Sequence, residues 1–288
     1  MSWRVVIIQN RCKLEYKLGY LVCRGEEQKK VFLNEISTLI IESTATSLTT
    51  ALLSELVHHK INVIFCDERH NPESQLLGLY SRHDCSGMLK KQLSWTDEIK
   101  LQVWSEIIKM KIAQQFTFLQ ELGSNQAHLL YQYFQEVQLG DLTNREGHAA
   151  KVYFNELFGL NFKRNDGSVV SSALNYGYSI ILSAFNREVV ACGYNTQLGL
   201  WHKNEYNQFN LSCDLMEPFR VLIDRAVYQR KDKDLNKDYK RFLCNILNES
   251  VKICDKTYTV LEAIGIYTRR IFCALEDNDL SLIRGYEL

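Results

Sequence analysis

Residues 95–122, WTDEIKLQVWSEIIKMKIAQQFTFLQEL, decide how this chain divides. Ile99, Val103, Ile107 and Met110 recur every three or four positions, so one face of a long helix is apolar. Gly123-Ser124 supplies the stop. The same period returns downstream at 126–138, 145–158, 172–188, 218–230, 239–248 and 260–276, and only Pro72 and Pro218 interrupt the whole chain. Everything after the opening stretch therefore reads as all-α.

Upstream the pattern changes. WRVVIIQN (3–10), KLEYKLGYLVCR (13–24, alternating around Leu14, Tyr16 and Leu18) and KKVFLNEISTLIIES (29–43) read as strands rich in β-branched residues. SLTTALLSELVHHK (47–60) reads as a helix with Ser47 as its cap, and INVIFCDE (61–68) as a buried strand. Asn71-Pro72 signals a turn, and YSRHDCSG (80–87) is a short polar junction. The expected fold class is α+β. A β-rich, sandwich-like domain with one helix occupies 1–80, a linker 81–92, and a larger α-helical domain 93–288.

Composition removes several function classes. At 288 residues and 46% hydrophobic the chain can bury a substantial core, which excludes a disordered segment. Lys+Arg and Asp+Glu both total 34, so no global basic excess drives indiscriminate nucleic-acid binding, and any such contact must be local. Nine cysteines without a CxxC pair argue for free thiols in a reducing compartment, against a disulfide framework or a cysteine zinc site. No run approaches a membrane span or a signal core, so a cytoplasmic protein is expected.

Three segments could carry chemistry. NREGHAAKVYFNELF (144–158) puts Ala149, Ala150, Tyr153, Phe154 and Leu157 on an apolar face, with Glu146 aimed at the same side. A buried carboxylate needs a cation, donors or a metal, although a first-turn acid behind an Asn144 cap is also a plain helix-dipole arrangement. His202 lies in GLWHKNEY (199–206), read as a loop between helices, where a satisfied imidazole is the ordinary case. In DLMEPFR (214–220), Asp214 and Glu217 have capping-box spacing, while Pro218 suits a first helical position and would make Glu217 the cap. Taken together, two carboxylates and one histidine on separate elements make a ligand set suited to Mg²⁺ or Mn²⁺; without HExxH, zinc fits less well.

NREGHAAKVYF, SALNYGYSIILSAFNREV (172–189), GLWHKNEYNQFNLSCDLMEPFR (199–220) and the β-rich start together resemble the CRISPR-associated spacer-acquisition integrase, the first-numbered Cas protein family. Among its forms the likeness is to type II systems, nearest to subtype A, and it spans the chain. The resemblance implies an N-terminal β-domain, an α-helical catalytic domain, and bacterial homodimers that flank a small ferredoxin-like partner dimer. It also implies docking with the type II effector nuclease and an accessory protein. The family's metal ligands map onto Glu146, His202 and Glu217, with Asp214 in support. Two departures stand out: the third ligand is Glu here where many relatives have Asp, and Ser171-Ser172 replaces an asparagine upstream of ALNYGY.

The implied activity is metal-dependent DNA endonuclease and integrase chemistry in antiviral defence. The 3′-hydroxyl of a captured double-stranded fragment attacks a phosphodiester at the CRISPR repeat boundary. Arg220, Lys163 and Arg164 are candidate phosphate contacts. QRKDKDLNKDYKR (229–241) adds Arg230, Lys231, Lys233, Lys237, Lys240 and Arg241, interleaved with acids as in a solvated loop. Tyr176 and Tyr178 sit in a helical apolar pattern and are expected in the core. Two rival readings are a non-catalytic DNA-binding scaffold subunit and a metal-dependent hydrolase of small phosphodiesters.

Overall fold

The computed structural model describes residues 4–78, 83–164, 166–230, 232 and 234–287. It opens with β1 (Arg4–Ile8), β2 (Lys13–Lys17), β3 (Tyr20–Arg24), β4 (Gln28–Phe32), β5 (Ile36–Ile41), β6 (Ser47–Leu48), α1 (Thr50–His58), β7 (Asn62–Cys66) and β8 (Pro72–Leu76). Then follow α2 (Cys85–Ser94), α3 (Asp97–Glu121), α4 (Ala127–Gln135), α5 (Arg145–Phe158), α6 (Val169–Ala191), α7 (Asn210–Leu215), α8 (Arg220–Gln229), α9 (Lys237–Asn245), the hairpin β9 (Ser250–Ile253) and β10 (Lys256–Thr259), and α10 (Val260–Asp277). The β-rich start followed by a helical body agrees with the expected fold class.

Two four-stranded sheets form the opening layers, in the orders β4-β3-β2-β6 and β1-β5-β7-β8. In the second, β1, β5 and β7 run parallel, and β8 returns antiparallel to β7. Between the sheets Leu14, Leu21, Leu39 and Ile41 pack with Leu52 and Leu56 of α1. On the other face of the second sheet, Ile40, Ile64 and Cys66 belong to the core of the helical body. Alternation along β5 thus sends neighbouring side chains into two different cores, which is why all six of its residues are buried. Each fully buried Leu or Ile contributes roughly 1.5–3 kcal/mol relative to exposure.

A polar clasp fixes the register between sheet and helix. Asn62 Nδ2 donates to Ser183 Oγ on α6 at 3.0 Å; Gln75 Nε2 donates to Asn62 Oδ1 at 2.6 Å and to the Ser183 carbonyl at 2.9 Å. Lys240 Nζ on α9 donates to the carbonyls of Arg69 (2.9 Å) and His70 (2.8 Å) in the turn between β7 and β8.

Several expectations change. KLEYKLGYLVCR is a hairpin, turned by Leu18 and Gly19 at φ 49° and 84°, where unbroken alternation suggested one strand. Thr49, not Ser47, caps α1 by accepting from the Leu52 N–H; Ser47 pairs in β6. The stretch read as a linker carries most of α2, and α7 and the β9-β10 hairpin were not anticipated. Of the junction YSRHDCSG, residues 80–82 lie outside the described residues, as do Trp3, Lys231 and Lys233.

Candidate metal centre

Helix α3 is the spine of the site. Its N-terminus is held by Thr96, which accepts from the Ile99 N–H, and Trp104, Ile107, Ile108, Lys111, Ile112, Gln115 and Phe118 form its buried stripe. Ser105, on the same helix, bonds the 138–141 turn. Its hydroxyl donates to the Leu101 carbonyl at 2.8 Å and accepts from the Gly140 N–H at 2.8 Å. That turn, with Gly140 at φ 66°, leads to Asp141, whose carboxylate accepts from the N–H groups of Arg145 (2.8 Å) and Glu146 (3.0 Å). Asn144, also left-handed at φ 50°, caps α5 through the Gly147 N–H. Two side chains therefore satisfy the first amides of α5, leaving the Glu146 carboxylate for other duty.

That carboxylate meets Lys111. Lys111 Nζ lies 2.6 Å from Glu146 Oε1 and 2.5 Å from Glu217 Oε2, with the Lys111 and Glu217 side chains only 9% and 6% exposed. Glu217 sits in the 3₁₀ turn Glu217–Phe219, and its second oxygen accepts from Arg220 Nε at 2.9 Å. Burial alone would strip the proton from Lys111, but Glu217 and Glu146 outweigh it and push its pKa up to about 12. Burial likewise opposes ionisation of Glu217, and Arg220 and Lys111 reverse this, holding it at about 2. Both glutamates are drawn onto one positive charge.

His202 is held half-exposed on the loop before α7. Asp214, fully buried on α7, accepts from the backbone N–H groups of Leu200 (2.6 Å), Trp201 (3.0 Å) and His202 (3.3 Å), and from His202 Nδ1. A carboxylate cannot donate, so Nδ1 carries the hydrogen and Nε2 is the ring nitrogen left to act as a ligand. The Asp214 bond raises the imidazole pKa against its partial burial, with smaller contributions from Glu217 and Glu146. Gly199 permits the tight loop: a Cβ there would collide with the His202 carbonyl and stand 2.8 Å from Asp214 Oδ2. Trp201 stacks on Trp104 at 5.8 Å with planes 4° apart, and the His202 ring packs edge-on to Trp104.

This geometry corrects the reading of DLMEPFR as a capping motif. Asp214 lies near the end of α7 with its carboxylate on the 200–202 loop, and Glu217 makes no side-chain cap bond. Glu146 and Glu217 come together, whereas the nearest polar partner of His202 is Asp214. Among the described residues no three His, Cys, Asp or Glu side chains form a metal-holding group. The donor chemistry nonetheless fits a hard divalent ion: two carboxylate oxygens from separate elements converge on one cation, and both carboxylates act electrostatically on the His202 imidazole.

The basic candidates separate clearly. Arg220 and Arg164 lie over the two neighbours' shared ring, Tyr178, at 4.7 and 4.8 Å, and the Tyr178 hydroxyl donates to buried Asp224. Ser171 is buried and donates to the Arg164 carbonyl, so the first serine of the pair anchors that loop. Lys163 is exposed. Lys240, by contrast, is spent on backbone carbonyls, Arg230 on Asp232 and Arg241 on Gln9. Tyr176 and Tyr178 are buried, as expected. Sequence reasoning missed Lys111, Asp224 and the loop-holding role of Asp214. Lys111 had a legible signal: a lysine four residues after Ile107 in a mostly apolar stripe.

With this geometry in view, the comparisons give the class. The family model "CRISPR associated protein Cas1" matches residues 5–243, and the chain belongs to that family. It is 36% identical over 295 residues to the CRISPR-associated endonuclease Cas1 of Neisseria meningitidis serogroup C, covering 100% of this chain and 97% of that protein. A Francisella tularensis subsp. novicida relative of the same description is 26% identical over 258 residues, covering 82% and 81%. Among solved structures, a casposase bound to integration product superposes with TM-score 0.79 at 18% identity, covering 98% of this chain and 93% of that one. A Cas1 protein from Thermotoga maritima gives 0.78 at 16%, covering 94% and 97%. At those identities the likeness is one of fold.

Proposed function

We propose that this chain is the DNA integrase and endonuclease of CRISPR spacer acquisition, in a type II system of subtype A. The observation that carries the reading is the convergence of Glu146 and Glu217 on a single cation position, with both carboxylates near enough to raise the His202 pKa. Glu146, Glu217 and Nε2 of His202 would hold Mg²⁺ or Mn²⁺. When bound, the ion supplies Lewis-acid stabilisation of charge on the phosphoryl oxygens.

The chain's residues supply the rest. Asp214 fixes the imidazole tautomer and the 200–202 backbone, so His202 presents Nε2 in one orientation. Arg220 and Arg164, held by Tyr178, offer guanidiniums to backbone phosphates, with Lys163 farther out. The 3′-hydroxyl oxygen of a captured fragment forms a new bond to the phosphorus at the repeat boundary. The existing P–O bond breaks and the displaced 3′-oxygen takes up a proton, so one phosphodiester replaces another and no nucleotide cofactor is consumed.

The domain expectations carry over as part of the proposal: 1–80 as the β-rich dimerisation and partner region, 93–288 as the catalytic body. Partners are duplex DNA, a second copy, and a small Cas2-type dimer, since a Cas6-RT-Cas1–Cas2 complex is among the structural neighbours, at TM-score 0.72. The type II effector nuclease and an accessory protein complete the set. No helix among the described residues is long and apolar enough to cross a membrane, and a cytoplasmic site of action follows from DNA as substrate.

The test mixes purified protein, Mn²⁺, the partner and a repeat-containing plasmid. Glu146→Gln and Glu217→Gln should each reduce strand joining by about two orders of magnitude or more. Undiminished joining by either variant would overturn the proposal, as would cleavage of small phosphodiesters with no joined DNA.

A further inference from the structure

The cation that Glu146 and Glu217 share is part of the chain. Lys111 Nζ is bonded to Glu146 Oε1 and Glu217 Oε2, the same oxygens that would face a common ion. Glu217 Oε1 is already taken by Arg220, so its carboxylate has no second oxygen to offer without giving up that pair. The Lys111 stem lies within the buried stripe of α3 between Ile107, Ile108 and Ile112, which confines the ammonium to this place. Two carboxylates brought this close repel one another unless a cation lies between them.

We infer that Lys111 is a resident counter-ion of the centre, holding Glu146 and Glu217 together and competing with the divalent ion for the same two oxygens. The inference rests on the metal reading of this site. Lys111 is thus a positioning residue whose ammonium must yield at least one carboxylate oxygen for the ion to bind. Without it the two acids would bind the ion more tightly, and the protein would depend on the ion to keep its carboxylates close.

The full-length protein and Lys111→Met, with Glu217→Gln as control, are titrated with Mn²⁺ by calorimetry and by the loss of free-ion paramagnetic resonance signal. Melting is followed with EDTA and with saturating Mn²⁺. Lys111→Met should bind Mn²⁺ about tenfold or more tightly than the wild type, melt lower in EDTA, and gain more from Mn²⁺. If the wild type binds Mn²⁺ and Lys111→Met binds equally or less well, the counter-ion role is refuted and the metal reading stands. If the wild type binds none, or Glu217→Gln binds as the wild type does, both fall. Should Lys111→Met fail to fold in either condition, Lys111→Met with Glu146→Gln, which leaves Glu217 paired to Arg220, decides. Wild-type melting in EDTA supports the role; failure to fold assigns Lys111 to packing alone and overturns it.

Discussion

Replacing Asp214 by Asn separates its two jobs. The carboxylate accepts four hydrogen bonds: three from backbone N–H groups and one from the His202 ring. An asparagine keeps one oxygen, best spent on Leu200 and Trp201, whose bonds are the shortest backbone pair. Its amide then faces His202, where the ring can accept at Nδ1 only by moving its hydrogen to Nε2. The His202 backbone N–H is left without an acceptor, and the other two bonds lose their charge assistance. The orphaned donor is only part-buried, so its loss lies toward the low end of about 1–3 kcal/mol, and with the weakened charge-assisted bonds the total is about 3 kcal/mol. At roughly 2 °C per kcal/mol for a chain of this size, melting falls by about 6 °C.

The functional loss should be larger, because Nε2 now carries a hydrogen and can no longer act as a ligand. A loss of about 10–100-fold in Mn²⁺ affinity and strand joining is expected. The pH profile adds a signature. Asp214 holds the His202 pKa above 6.5, so its contribution to stability is complete below that value and is lost as pH rises through the higher folded pKa. The variant should lack this decline, checked by melting between pH 5.5 and 8.5. Wild-type melting together with wild-type joining would refute the tautomer argument.

Burial raises the Asp224 carboxyl from 3.8 to about 6, so in that window the folded state keeps a proton that the unfolded chain releases, and stability falls as pH rises. Asp224→Asn, which still accepts from Tyr178, should remove the fall and gain about 2 kcal/mol at pH 7, read from urea midpoints at pH 4 and 7. Gly177→Ala would place a methyl 2.5 Å from Ile223 Cγ2 where α6 crosses α8. Overpacking of about 1–3 kcal/mol should exceed the gain in helix propensity of about 1 kcal/mol, lowering the urea midpoint.

What could be read beforehand was what local rules fix. The bounds of α5 came out as written because Asn144 and Gly159 mark its ends in the sequence. The helical period located α3 and α10 to within two residues. The hairpin at Leu18-Gly19 was invisible because alternation continues across the turn and leucine gives no sign of a left-handed φ. The short strands β9 and β10 are likewise turned by Cys254 and Asp255, both at positive φ. Asp214 was read through its sequence neighbour Glu217, but its partners lie 12 to 14 residues upstream, a distance only the folded loop closes.

The paired indoles of Trp104 and Trp201 carry a consequence of their own. Two chromophores stacked 5.8 Å apart with nearly parallel planes couple excitonically, one sealed in the core and the other 40% open to solvent. Trp201 is the residue next to His202 and hangs from the same aspartate. The protein thus carries an optical gauge on the loop that bears His202. Anything that lifts the 200–202 loop, whether an ion, a DNA end or the Asp214→Asn substitution, should change the couplet in the far-ultraviolet circular dichroism without any added label.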